Sequence, residues 1–157
     1  MSRERENDGG DLKVAAIDDF DQVLEQFKRA GNEFMKGNPV PVQDLFSHRD
    51  DVTLANPFGP PVRGWEQVAK TQVRGASYYR DGEIYDFETV AKYVTPELAC
   101  ILWIERTNAK VGGAEDVTPC DLRVTRTLRP EEGTWKVVHR HADPITTPQP
   151  AESVIQE

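Results

Sequence analysis

Between Cys120 and Asp143 the sequence reads CDLRVTRTLRPEEGTWKVVHRHAD, two β-rich runs separated by Pro130-Glu131-Glu132-Gly133. Proline presets the start of a type I turn and glycine supplies the left-handed residue after it, so the stretch is expected to close as a β-hairpin. A four-residue loop sets Arg129 opposite Thr134, and with it Arg123 opposite Arg140 and Val124 opposite His139. Side chains alternate across a strand, so one face then carries Arg123, Thr125, Thr127, Lys136 and Arg140. The other carries Leu122, Val124, Leu128, Trp135, Val137, His139 and His141, with Arg126 its only charge. A sheet with one apolar face must bury it against another layer, which limits the architectures open to this chain.

Before the hairpin the chain reads as helices and short strands. A helix is expected from about Asp18, where Asp18, Asp19 and Asp21 place negative charge against the first free amides. Phe20, Leu24, Phe27, Gly31 and Phe34 recur at three- and four-residue spacing as one apolar stripe, which Gly37 ends. Asn38-Pro39 opens a short second helix over Val40 to Ser47. Val52 to Ala55 reads as a short strand, stopped by the Pro-rich loop Asn56-Pro57-Phe58-Gly59-Pro60-Pro61. After Gly64 a third helix carries Trp65, Val68, Gln72, Ala76 and Tyr79 at helical spacing and is expected to end within Tyr78 to Gly82. Strands follow at Glu83 to Val94, Leu98 to Asn108, Val117 to Arg129 and Trp135 to Ala142. Helices first and an antiparallel meander afterwards make the fold class α+β, in a single domain over residues 16–145. Residues 1–15 are polar and expected to be disordered, and 146–157, with Pro148 and Pro150, to form an extended tail.

The chain has 157 residues and a formal charge of −8, which argues against nucleic acid or an anionic membrane as the main partner. The longest apolar run, Ala99 to Ile104, is far too short for a membrane span, and the start MSRERENDGGDLK lacks a signal-peptide core, so a cytoplasmic location is expected. Cys100 and Cys120 both fall in expected strands and read as small buried thiols. Neither has metal-ligand spacing, and neither a metal nor a cofactor is expected.

Three stretches together carry a resemblance: DDVTLANPFG at Asp50 to Gly59, ACILWIERT at Ala99 to Thr107, and WKVVHRHAD at Trp135 to Asp143. With the element order they resemble the nuclear transport factor 2-like superfamily, whose members include ketosteroid isomerase, SnoaL-type cyclases and the association domain of calmodulin-dependent kinase. The resemblance implies a curved sheet wrapped into a cone, helices closing a pocket on its concave side, and frequent homodimers through the convex side. It places the Arg123 and Arg140 face of the hairpin in the pocket, and the Trp135, Val137, His139 and His141 face against a second copy.

On that resemblance Asn56 stands where the isomerase has its catalytic Asp, and an amide cannot abstract a proton. Ketosteroid isomerase also needs a Tyr and a protonated Asp as oxyanion donors, whereas the matching strand here offers Arg123 and Thr125. That steroid chemistry is therefore not expected. What is expected is a small, partly apolar organic molecule in the cone, with isomerase, cyclase or hydrolase chemistry. In that reading Glu105 is the acid or base, Arg123 stabilises negative charge and Asn56 positions the substrate. Trp65, Tyr79 and Trp103 supply apolar walls, and Thr125 and Arg140 complete the binding set. Two questions stay open on the residues alone. Arg123 and Arg140 repel each other unless Glu105 or a ligand anion lies between them, and Asn56 either orients a ligand or caps the turn before Pro57. The alternative is a non-catalytic association module with a vestigial pocket.

Overall fold

A computed structural model describes residues 20–157. The expected disordered segment 1–15 and the helix start near Asp18 lie outside the described residues. Within them α1 covers 20–34, and its stripe of Phe20, Val23, Phe27 and Ala30 is buried, as the spacing requires. Gly37, at φ +95°, ends the segment after it. Helix α2 is Val40–Leu45 and α3 is Trp65–Ser77. Seven strands form one sheet: β1 Thr53–Ala55, β2 Val62–Arg63, β3 Tyr79–Val94, β4 Ala99–Val111, β5 Thr118–Pro119, β6 Leu122–Glu131 and β7 Thr134–Asp143. Their order is β2-β1-β7-β6-β4-β3, with β5 pairing β4. All neighbours are antiparallel except β1, which joins β7 in parallel. The result is the α+β fold that the sequence implies, with the cone that the resemblance implies. Among the described residues no helix is long and apolar enough to cross a membrane.

The hairpin forms, but its register and its faces differ from expectation. Pro130 and Glu131 are strand residues, paired with Trp135 and Thr134, and the loop is only Glu132-Gly133. Both loop residues have positive φ, +53° and +81°, the type I′ geometry that matches the twist of the strands. The register then slips by one at Val138, so that Thr127 faces His139 and Arg123 faces Asp143. The helices cover the face bearing Leu122, Val124, Leu128, Trp135 and Val137, all of which are buried. The apolar patch expected to meet a second copy is therefore the protein's own core, with Phe20 set edge-on to Trp135 at 5.5 Å. The larger apolar area lies on that face, and its burial under α1 decides the matter. Arg123 and Thr125 consequently point away from the pocket, correcting their expected placement.

Further boundaries differ: the expected strand Val117 to Arg129 divides into β5 and β6, the second helix ends at Leu45 and β4 runs on to Val111. Helix α3 stops at Ser77, and Tyr79 already opens β3 rather than closing the helix. Gly82 lies in that strand because a Cβ there would stand 2.7 Å from the Met35 Cβ and 2.8 Å from its carbonyl oxygen. Cys100 and Cys120 are free and half-buried rather than buried. Beyond Asp143 the chain is surface-exposed or partly so, with one short 3-10 turn at Ala151–Val154.

Candidate functional site

Strand β4 alternates buried and half-buried residues from Ala99 to Thr107, which turns Trp103 and Glu105 inward. Arg126 comes inward from the centre of β6 because it shares parity with Val124 and Leu128. Arg140 comes inward from β7 only because of the slip at Val138. These side chains form one buried cluster. Glu105 Oε2 accepts the Trp103 indole N–H at 2.9 Å and Arg126 Nη1 at 3.2 Å. Its other oxygen accepts Arg140 Nη2 at 3.4 Å, and Arg140 Nη1 donates to Asn56 Oδ1 at 2.6 Å. The Arg126 guanidinium also lies 4.8 Å from the centre of the Phe27 ring and 5.4 Å from that of Trp103.

Burial alone would raise the Glu105 carboxyl, but the charges of Arg126 and Arg140 and the Trp103 donor outweigh it and hold its pKa below the ordinary value. Burial pushes Arg126 down to about 10, which leaves it charged at neutral pH. The cluster thus holds two cations and one anion. Glu105 is the internal counter-ion of Arg126 and Arg140, with both oxygens engaged.

Arg140, Glu105, Arg126, Asn56 and Gln72 supply the polar lining of a cavity of about 30 Å³ whose apolar walls include Phe34, Met35, Leu54 and Ile84. A second void of about 20 Å³ shares Phe34, Met35, Asn56 and Arg140 with it and adds Tyr79 and Leu122. A third, of about 140 Å³, opens between α3 and the loop after β1, lined by Phe58, Val62, Thr71, Arg74 and Tyr78. Asn56 lines all three. Phe58, which lines the second and third, is half exposed and sits edge-on to Tyr78, 5.0 Å away.

Two groups in the inner cavity are unsatisfied. Gln72, only 2% exposed, has no hydrogen-bond partner for either amide atom among the described residues, and neither has the Nε of Arg126. Sequence reasoning placed neither residue in the site. The signals were present: Gln72 is a polar residue on the apolar stripe of α3, and Arg126 is the one charge on the apolar face of the hairpin.

Of the expected site residues, Glu105, Asn56 and Arg140 meet in the cavity, and Trp103 supports Glu105 from behind. Tyr79 lines the second void, where burial pushes its phenol up to about 12. Trp65 is elsewhere, stacked on His48 at 3.7 Å. Arg123 lies on the outer face, where Nε and Nη2 donate to Asp143 at 3.0 and 2.8 Å. Thr125 pairs with His141 on the same outer face. His139 and His141 do point outward: Thr53 Oγ1 lies 2.7 Å from His139 Nδ1, and His141 is 3.4 Å from Asp143.

No family model and no curated protein matches the sequence. Solved structures do match. A nuclear transport factor 2-like superfamily protein from Salmonella enterica is 16% identical with a TM-score of 0.65, over 85% of this chain and 98% of that one. A nuclear transport factor 2-like protein of unknown function from Pseudomonas putida is 18% identical with a TM-score of 0.62, over 85% and 87%. A ketosteroid isomerase-like protein from Erwinia carotovora is 18% identical with a TM-score of 0.60, over 80% and 89%. The chain has the nuclear transport factor 2-like fold. At these identities the likeness concerns the fold alone, and many chemistries share it.

Proposed function

We propose that the protein binds a small, partly apolar organic molecule in the cone. The observation that carries this reading is Gln72, a buried amide with donor and acceptor both unpaired on the wall of the inner cavity. Leaving a buried polar group unsatisfied costs about 1–3 kcal/mol, a cost that a bound molecule would offset. Met35, Leu54 and Ile84 would hold its apolar part, and Asn56, fixed by Arg140, would orient it. Isomerase, cyclase or hydrolase chemistry would need a base other than Glu105, whose lone pairs and lowered pKa suit a counter-ion.

One observation favours the second reading, an association module with a vestigial pocket: the Arg126–Glu105–Arg140 cluster fills much of the cone with its own ion pairs. Gln72→Leu separates the two. A thermal-shift screen of small organic molecules is expected to give compounds that raise the melting temperature of the native protein and not of Gln72→Leu. A screen in which no compound distinguishes the two proteins, with the variant simply more stable, favours the association module.

A further inference from the structure

We infer that the cleft between α3 and the loop after β1 binds a monocyclic aromatic carboxylate. The cleft is a different place from the inner cavity, and Gln72, which carries the reading above, does not line it, so the two stand independently. Size comes first. The cleft measures about 140 Å³. A dry apolar cavity of about 150 Å³ takes one benzene molecule, so there is room here for one six-membered ring and not for two fused ones. The loop side of the cleft suits a ring. Phe58, half exposed and edge-on to Tyr78 at 5.0 Å, makes an aromatic corner that Pro60 and Val62 extend. Pro57, Pro60 and Pro61 fix three φ angles in that loop, so this wall is set before a ligand arrives.

The helix side supplies the charge. Thr71, Arg74, Gly75 and Tyr78 recur at three- and four-residue spacing, which puts them on one face of α3 and its C-cap. Gly75 presents backbone alone in the middle of that face. Arg74 is the only charged residue on the cleft wall. The other charges of α3, Glu66 and Lys70, pair with each other at 3.3 Å, and Arg74 has no carboxylate partner among the described residues. Its guanidinium fork matches the two oxygens of a carboxylate. Arg74 is exposed, so a carboxylate reaches it at the rim without the cost of burying a charge, while the ring lies against Phe58 and Val62.

The test is an NMR titration of the full-length protein with benzoate, benzamide and 2-naphthoate. It follows the Val62 and Thr71 methyl groups in the cleft and the Leu54 and Ile84 methyl groups of the inner cavity. Benzoate is expected to move Val62 and Thr71 and to leave Leu54 and Ile84 in place. It is expected to bind about threefold more tightly than benzamide, the worth of one exposed ion pair. 2-Naphthoate is expected to bind more weakly than benzoate, although its larger apolar area would favour it on an unshaped surface. In Arg74→Gln, a change at an exposed position, benzoate is expected to bind no better than benzamide. Benzamide binding the native protein as tightly as benzoate overturns the carboxylate, and 2-naphthoate binding more tightly overturns the single ring. If benzoate moves Leu54 and Ile84 more than Val62 and Thr71, the cleft assignment fails. If it moves none of the four, the inference falls, and the binding reading is still decided by the Gln72→Leu comparison.

Discussion

At the scale of single residues, the central contact is Arg126 with Glu105, 3.2 Å apart and both almost fully buried. Removing one partner of such a pair leaves an uncompensated charge in a poorly polarisable interior. Arg126→Met is expected to lower stability by about 3–5 kcal/mol, and Glu105→Leu in the same protein to recover part of the loss, since Arg140 still needs a counter-charge. Arg123 lies on the opposite face of the sheet with Asp143, so its coupling to Glu105 is expected to be near zero. Urea unfolding of the two cycles checks this, and equal couplings would contradict the placement of Arg123. The same carboxylate gives the molecule an acid limit. Glu105 has a folded pKa below its ordinary 4.5, so the stability it contributes is complete above that value and is lost as pH falls through the lower one. Glu105→Gln is expected to be less stable at neutral pH and to show a flatter loss of stability below about pH 4.5, measured as melting temperature against pH.

At the scale of the element, the β6–β7 turn is the clearest lever. Glu132 occupies a left-handed position at φ +53°, where a residue with a Cβ is strained and Asn is tolerated. Glu132→Asn is expected to stabilise by about 0.5 kcal/mol, and Gly133→Ala, at φ +81°, to destabilise by about 1–2 kcal/mol. A Gly133→Ala protein with unchanged urea midpoint would refute the turn assignment. The hairpin also shows what can be read from sequence here. Its existence, the helical stripe of α1 and the order of helices before strands follow from periodicity and turn residues. The loop does not, because Pro130 advertises a turn that Glu132-Gly133 makes two residues later, and the proline sits instead in a strand opposite Trp135. Nothing marks Val138 as the extra residue, since a valine suits either regular strand or bulge. The slip at Val138 decides only the residues after it. Arg123 lies outside the site and Arg126 inside it because the apolar face of β6 turns toward the helices rather than toward a second copy. Glu105 and Asn56 were legible because each lies in an element whose parity or loop position the sequence does determine.

At the scale of the whole molecule, the sheet has one covered face and one open one. The open face carries Leu102 and Ile104, half-buried, with Tyr93 66% exposed opposite Cys100. An open sheet face with such residues favours a second copy, and sedimentation at micromolar concentration is expected to show two chains, reduced to one by Leu102→Lys. A native protein that sediments as one chain would sink this expectation. The inside and the outside of that sheet are kept apart by nothing more than odd and even. Val138 is one extra count, and every residue after it is read in the other frame. Arg140 thereby joins the interior and the two histidines leave it. Counted without that valine, the same letters would set His139 and His141 against Glu105 and turn Arg140 out to solvent. The charge held within the cone is thus decided by a residue that carries no charge at all.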